Sequence, residues 1–294
     1  MSKRSKLMES AIKHTDFKEQ TGDKDNAKEF MEQRSAVEDE LYELPKGIYH
    51  TKAKVREMYG HQIVIFNGNI NTERTVLYLH GGAYVGEIDK PHIAFCDKLA
   101  KKANATVFAP IYPLAPNHTC METYELVENL YELILKFEKP ITIMGDSAGG
   151  GLSAAFREYL GENDLPESEH LVLISPWVDV SMSGDYGKYE DRDPMIGIDG
   201  GREMGKAWAG DLDTKDYRVS PMFGNVDKLP QTTIFIGTHE VLYPDVIKFY
   251  DKLEENGVDV ELNVGEGMYH VYPILPVAPE SKEAFNRIVE IISK

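Results

Sequence analysis

Two glycine-rich segments of this 294-residue chain carry residue types that together could cleave an acyl bond: Leu79-His80-Gly81-Gly82-Ala83-Tyr84 and Met144-Gly145-Asp146-Ser147-Ala148-Gly149-Gly150. The second fits Gly-x-Ser-x-Gly, a pattern that sets a serine on a tight strand-to-helix turn with its hydroxyl projecting from the bend. The first offers backbone N–H groups uncovered by side chains, which is what a developing oxyanion requires. With 24 glycines in the chain, the serine motif alone is a weak signal. Its flanks strengthen it, because Ile141-Thr142-Ile143-Met144 reads as a strand and Ala148 to Tyr159 as a helix. Ser147 is therefore the candidate nucleophile, with the N–H groups of Gly81, Gly82 and Ala148 as candidate oxyanion donors. His80 is expected to brace its loop, and Asp146, whose side chain leaves the bend in a different direction from Ser147, to do the same.

Such a site needs a sheet that ends its strands along one edge. Short apolar runs at Ile63 to Phe66, Thr75 to Leu79, Thr106 to Ala109, Ile141 to Met144, Leu171 to Ile174 and Thr233 to Ile236 are buried-strand candidates. From the second onward they alternate with helical patterns at Ile93 to Lys102, Met121 to Phe137, Ala148 to Tyr159 and Asp245 to Glu255. A further strand is expected over Val258 to Val264 and a closing helix over Lys282 to Ser293. This alternation predicts an α/β fold with a mostly parallel central sheet flanked by helices. Two regions break the pattern. Residues 1–48 read as a charged, helix-permissive segment of one or two helices, and residues 181–224, rich in Gly, Asp and Tyr with a helical stretch at Gly201 to Ala209, read as an insertion. Both are expected to form a helical cap over a catalytic domain spanning 49–294.

Lys and Arg total 32 against 49 Asp and Glu, a net charge of −17 that opposes binding to nucleic acid or anionic membranes. No apolar run is long enough for a bilayer, so no membrane insertion is expected. The basic opening residues are followed by no signal-like apolar stretch, which gives the expectation of a cytoplasmic protein with Cys96 and Cys120 buried and reduced. No metal-ligand cluster, phosphate loop or dinucleotide fingerprint is present, so neither metal nor cofactor is expected.

The motifs His80-Gly81-Gly82-Ala83-Tyr84, Tyr112-Pro113-Leu114-Ala115-Pro116, Gly145-Asp146-Ser147-Ala148-Gly149-Gly150, Ser175-Pro176-Trp177 and Gly267-Met268-Tyr269-His270 resemble those of the hormone-sensitive-lipase family of α/β-hydrolase esterases. The resemblance runs from about Val55 to the C-terminus. It implies an α/β-hydrolase fold whose serine, acid and histidine follow in that chain order. His270, on a glycine-containing loop after the last expected strand, then fits the base. Two carboxylates follow the strand at Ile236, namely Glu240 and Asp245. The family's acid comes soon after the glycine that ends this strand, usually as aspartate. Glu240 occupies that place, while Asp245 behind Pro244 is also explained as a helix N-terminal residue. Tyr84, Trp177, Met195 and Trp208 are candidates for the substrate pocket, with core filling as the competing role.

The resulting expectation is a serine carboxylesterase acting on small, uncharged esters with short acyl chains through an acyl-serine intermediate. A catalytically silent small-molecule receptor and an acyltransferase or amidase using the same residues are the rival readings. The family often pairs subunits, which leaves a homodimer open.

Overall fold

The computed structural model describes residues 1–15, 17–37, 41–68 and 71–294. Three helices come first, α1 (Lys3–Ile12), α2 (Phe17–Gly22) and α3 (Lys24–Ser35), followed by β1 (Lys54–Met58), β2 (His61–Phe66) and β3 (Arg74–Leu79). The alternating part continues as α4 (Lys90–Lys102), β4 (Ala105–Pro110), α5 (Cys120–Leu135), β5 (Ile141–Asp146), α6 (Ala148–Glu162) and β6 (His170–Ile174). After it come α7 (Lys188–Arg192), α8 (Ile198–Ala209), β7 (Gln231–Gly237), α9 (Tyr243–Glu255), β8 (Val260–Gly265) and α10 (Pro279–Ile292).

The strands form one eight-stranded sheet in the order β1-β2-β4-β3-β5-β6-β7-β8. Pairing is antiparallel at β1/β2 and β2/β4 and parallel from β4 through β8. The parallel strands read as unbroken apolar runs because both of their faces are covered by helices. Their two-residue period divides the side chains between two cores. Leu77, Leu79, Ile143, Leu171, Leu173, Ile234 and Ile236 face one side, with α5, α6 and α9. Val76, Tyr78, Met144, Val172, Ile174 and Phe235 face the other, with α4 and α10. Cys120 falls in the first core and Cys96 in the second, so the central sheet lies between the two buried thiols.

Three elements differ from the sequence-based expectation. The N-terminal segment holds three helices rather than one or two, since Asp23 caps a new start by accepting from Asp25 and Asn26 N–H. Strand β1 carries no apolar run, because it is an edge strand with no buried residue. In the region 181–224 only α7 and α8 rise from the sheet. The residues after Gly210 turn back, with Met222 N–H bonding Val178 O at 3.0 Å and Lys252 Nζ reaching Met222 O at 2.9 Å.

The N-terminal helices and the insertion are tied directly to one another. Thr21 Oγ donates to Met195 O at 3.1 Å and accepts from Gly197 N–H at 2.9 Å, while Lys18 Nζ donates to Asp193 O at 2.6 Å. A Cβ at Gly197 or Gly200 would collide with the backbone of Thr21 and Gly22, so α2 and α8 meet at a separation only glycine allows.

Candidate active site

Strand β5 runs through buried Ile141, Ile143 and Met144 into Ser147, whose φ of 52° and ψ of −121° lie outside the regions an L-residue prefers. Such a conformation costs on the order of 1–3 kcal/mol and persists only where its surroundings over-determine it. Here they do: Ser147 N–H bonds Ile174 O at 2.8 Å and Ser147 O accepts from Trp177 N–H at 2.9 Å. Helix α6 starts at the next residue, and a Cβ at Gly145 or Gly149 would strike backbone oxygens of Gly149, Leu79 and His80. The glycines of the motif are thus a packing requirement of the elbow.

The structure brings Ser147, His270 and Glu240 together. His270 Nε2 lies 2.8 Å from Ser147 Oγ, and His270 Nδ1 lies 2.7 Å from Glu240 Oε2. A carboxylate can only accept, so Nδ1 carries the proton and Nε2 is left to accept the serine hydroxyl. Burial works against the His270 imidazolium, but the bond to Glu240 and its charge, with Asp193 and Asp146 further off, lift the imidazole above its ordinary value. Burial raises the Glu240 carboxyl, and donors from His270, Gly237 and Ser175 oppose that rise. Asp245 points elsewhere. It accepts from Tyr186 Oη at 2.6 Å and faces Lys248 at 3.4 Å, so it ties α9 to the insertion.

Two residues that chemistry-based reading passes over hold this arrangement. Ser175 donates to Glu240 Oε1 at 2.8 Å and accepts from Val271 N–H at 3.1 Å, joining the acid to the histidine loop. Buried Asp193 accepts from Val241 N–H at 2.7 Å and from Met195 N–H at 2.7 Å, joining the residue after Glu240 to the insertion. The Ser175-Pro176-Trp177 motif signalled the first; nothing in the sequence distinguished the second from other surface-type aspartates.

The glycine loop requires a correction. Gly81 N–H is taken by Asp146 Oδ1 at 3.1 Å, so it is not available to an oxyanion. The N–H groups of Gly82, Ala83 and Ala148 make no hydrogen bond among the described residues, and Gly82 and Ala83 line the same cavity as Ser147. Ala83 therefore replaces Gly81 in the candidate set. His80 is packed within the loop. Its Nδ1–H donates to Gly81 O at 2.7 Å and its ring stacks on Tyr112 at 4.2 Å. Burial and the neighbouring His92 depress its pKa to about 4, leaving it neutral.

The cavity over Ser147 has a volume of about 530 Å³, within the range of small-molecule sites. Its walls are mainly apolar, with Ile12, Phe17 and Phe30 from the N-terminal helices, Trp177 beside the elbow, and Met195, Ile196 and Met204 from the insertion. Trp177 and Met195 thus stand where a substrate pocket was expected. Tyr84 and Trp208 do not line it. They stack on each other at 4.2 Å with rings 1° from parallel, at 1% and 0% exposure, and are core residues beneath the wall. Arg34 lines the cavity, and Glu87 pairs with its guanidinium at 2.9 Å. Among the described residues there is no metal-holding group of His, Cys, Asp and Glu, and no helix is long and apolar enough to cross a membrane.

This sheet order, with a serine elbow after β5 and a histidine after β8, defines an α/β-hydrolase. A family profile described as alpha/beta hydrolase fold matches residues 76–274. An esterase of Acinetobacter venetianus is 29% identical over 221 residues, 73% of each chain. An acetyl-hydrolase of Streptomyces hygroscopicus is 30% identical over 218 residues, 72% of this chain and 73% of that one. An esterase/lipase from an uncultured bacterium superposes with a TM-score of 0.84 at 25% identity, covering 99% of this chain and 98% of that chain. A hormone-sensitive lipase from a metagenome library superposes at 0.82 with 25% identity, covering 98% of each. The chain belongs to the hormone-sensitive-lipase family of α/β-hydrolases and is a carboxylic ester hydrolase.

Proposed function

We propose that this esterase cleaves small, uncharged esters with short acyl chains, with Ser147 as nucleophile, His270 as proton carrier and Glu240 as its orienting acid. The observation that carries this reading is the unbroken chain from Ser147 Oγ through His270 to Glu240, opening on an apolar cavity beside three unspent N–H groups. Ser147 Oγ attacks the ester carbonyl while its proton passes to His270 Nε2. The oxyanion forms beside the N–H groups of Gly82, Ala83 and Ala148. His270 then returns the proton to the departing alcohol, leaving an acyl-serine. In the second half a water gives a proton to His270 as its oxygen attacks the acyl carbon, and His270 returns that proton to Ser147 Oγ as the acyl–oxygen bond breaks and the acid leaves.

The cavity supports the uncharged preference. The charge of Arg34 at its wall is offset by Glu87, and most of the remaining lining is apolar, so a net charge on the substrate would be poorly matched there. The acetyl-hydrolase relative supports a short acyl group. Helices α1 to α3 with α7 and α8 act as the cap, within the divisions 1–48 and 181–224 expected from sequence. The test is a 4-nitrophenyl ester series from acetate to decanoate, run on the intact protein and on Ser147→Ala. Serine-dependent rates that fall with chain length are expected. A maximum at the long esters would overturn the short-acyl assignment.

A further inference from the structure

Beside Ser147 a second histidine, His92, lies between two carboxylates in the cavity wall. It stands in the first turn of α4, after the N-cap Asp89. Its Nδ1 is 2.6 Å from Asp89 Oδ1 and its Nε2 is 3.1 Å from Asp146 Oδ2. Asp89 N–H is directed at Nδ1 from 3.2 Å, closing a capping box, while the Asp89 carboxylate pairs with the ring. The ring donates from Nε2 to Asp146, and its pairing with two carboxylates favours the imidazolium.

The other oxygen of Asp146 accepts Gly81 N–H at 3.1 Å and the Tyr78 hydroxyl. Asp146 is 1% exposed, and an ionised carboxylate at that depth needs a partner charge. His80 lies 6.1 Å from His92 by ring centroids and is neutral, so His92 supplies that charge. Gly81 packs closely against the elbow, since a Cβ there would press on Asp146 and on Ser147 Cβ. The loop carrying Gly82 and Ala83 thus hangs on a carboxylate whose direction His92 fixes.

We propose that His92 is a positioning residue for the oxyanion loop: by donating to Asp146 while paired with Asp89, it holds the carboxylate that grips Gly81 and so aims the next two N–H groups at the reacting carbonyl. This rests on the reading of Ser147 as nucleophile with those N–H groups as its oxyanion site. His92 is not a second base, because Nε2 is committed to Asp146 and Nδ1 to Asp89.

Burial opposes the charged ring, but Asp146 and Asp89 outweigh it and raise the His92 pKa to about 10. The groups facing it are Asp89 on its own helix, Asp146 from β5, and Tyr78 and His80 from β3. Tyr78 is held well above the usual phenol range by burial and by Asp146, so it does not titrate first.

The experiment compares wild type, His92→Ala, Asp89→Asn and Ser147→Ala with 4-nitrophenyl acetate, and measures inhibition by an alkylboronic acid, which forms a tetrahedral adduct on an active-site serine. In His92→Ala, kcat should fall about 10- to 100-fold with KM within about threefold, a loss somewhat smaller than deletion of one oxyanion donor. Boronate affinity should weaken by a similar factor, and added imidazole should restore part of kcat because the vacated space opens on the cavity. A kcat within twofold of wild type, or a fall in kcat with unchanged boronate affinity, overturns the proposal. Asp89→Asn keeps a competent helix cap and the ring, so it decides the matter if His92→Ala does not fold. Its alkaline loss of kcat should move to lower pH than in wild type, and an unmoved limb overturns the proposal. Activity in Ser147→Ala would instead overturn the parent reading, and this one with it.

Discussion

The Glu240 carboxylate accepts the Nδ1–H of His270 at 2.7 Å, whereas five residues further along the chain Asp245 is engaged by Tyr186 at 2.6 Å. Glutamate fills a place that the family usually gives to aspartate, and its extra methylene is accommodated by Ser175 and by the Gly237 N–H, both of which bond the second carboxylate oxygen.

Exchange of each carboxylate for its amide separates these roles. Glu240→Gln removes the charge that favours the imidazolium and can present the wrong tautomer to Ser147, so kcat should fall by about 10³- to 10⁴-fold. Asp245→Asn should leave kcat within about threefold and lower thermal stability slightly. The pH profile adds a sign. In the proposed mechanism His270 must be neutral to accept the serine proton, and Glu240 holds its pKa above the ordinary value, so activity should be lost as pH falls through a midpoint above that of an ordinary histidine. In Glu240→Gln the remaining activity should show that midpoint at lower pH. Profiles of kcat/KM for the three proteins check both statements.

Gly82 has a φ of +126°, and a Cβ there would meet the Gly86 backbone oxygen. Gly82→Val must therefore move the loop whose N–H groups the proposed mechanism assigns to the oxyanion. We expect kcat to fall by about 100-fold or more, near the usual loss for one oxyanion donor, with KM changed much less. Steady-state kinetics together with a circular-dichroism melt separate this from unfolding.

The two tryptophans make opposite predictions. Trp208 is fully buried under the cavity wall, so Trp208→Ala should cost about 3–5 kcal/mol of stability, read by denaturant unfolding. Trp177 lines the cavity, so Trp177→Phe should change the ratio of rates for acetate and hexanoate esters while altering stability less. Equal effects of the two variants on that ratio would contradict the placement.

Most of the sheet was legible because parallel strands covered on both faces must be apolar at successive positions, as in Ile141 to Met144 and Leu171 to Ile174. Edge strand β1 was not, since Lys54, Arg56 and Glu57 satisfy no such demand. The elbow and its histidine follow from glycine spacing and chain order. The loss of Gly81 as a donor could not be read, because it depends on where the Asp146 carboxylate turns after β5 ends. His92 escaped notice for the same reason: its partner Asp146 is distant in sequence and meets it only when α4 packs against the sheet. Tyr84 and Trp208 show the limit of composition, since an aromatic suits a pocket wall and the core behind it equally well.

The central claim is a covalent acyl intermediate on Ser147. Acid quenching of the enzyme during turnover of 4-nitrophenyl acetate, followed by peptide mass spectrometry, should find one acetyl group on the peptide containing Ser147, absent from Ser147→Ala, which should also lose about 10⁴-fold or more in kcat. Undiminished hydrolysis by Ser147→Ala, or acetyl confined to another residue, would contradict it.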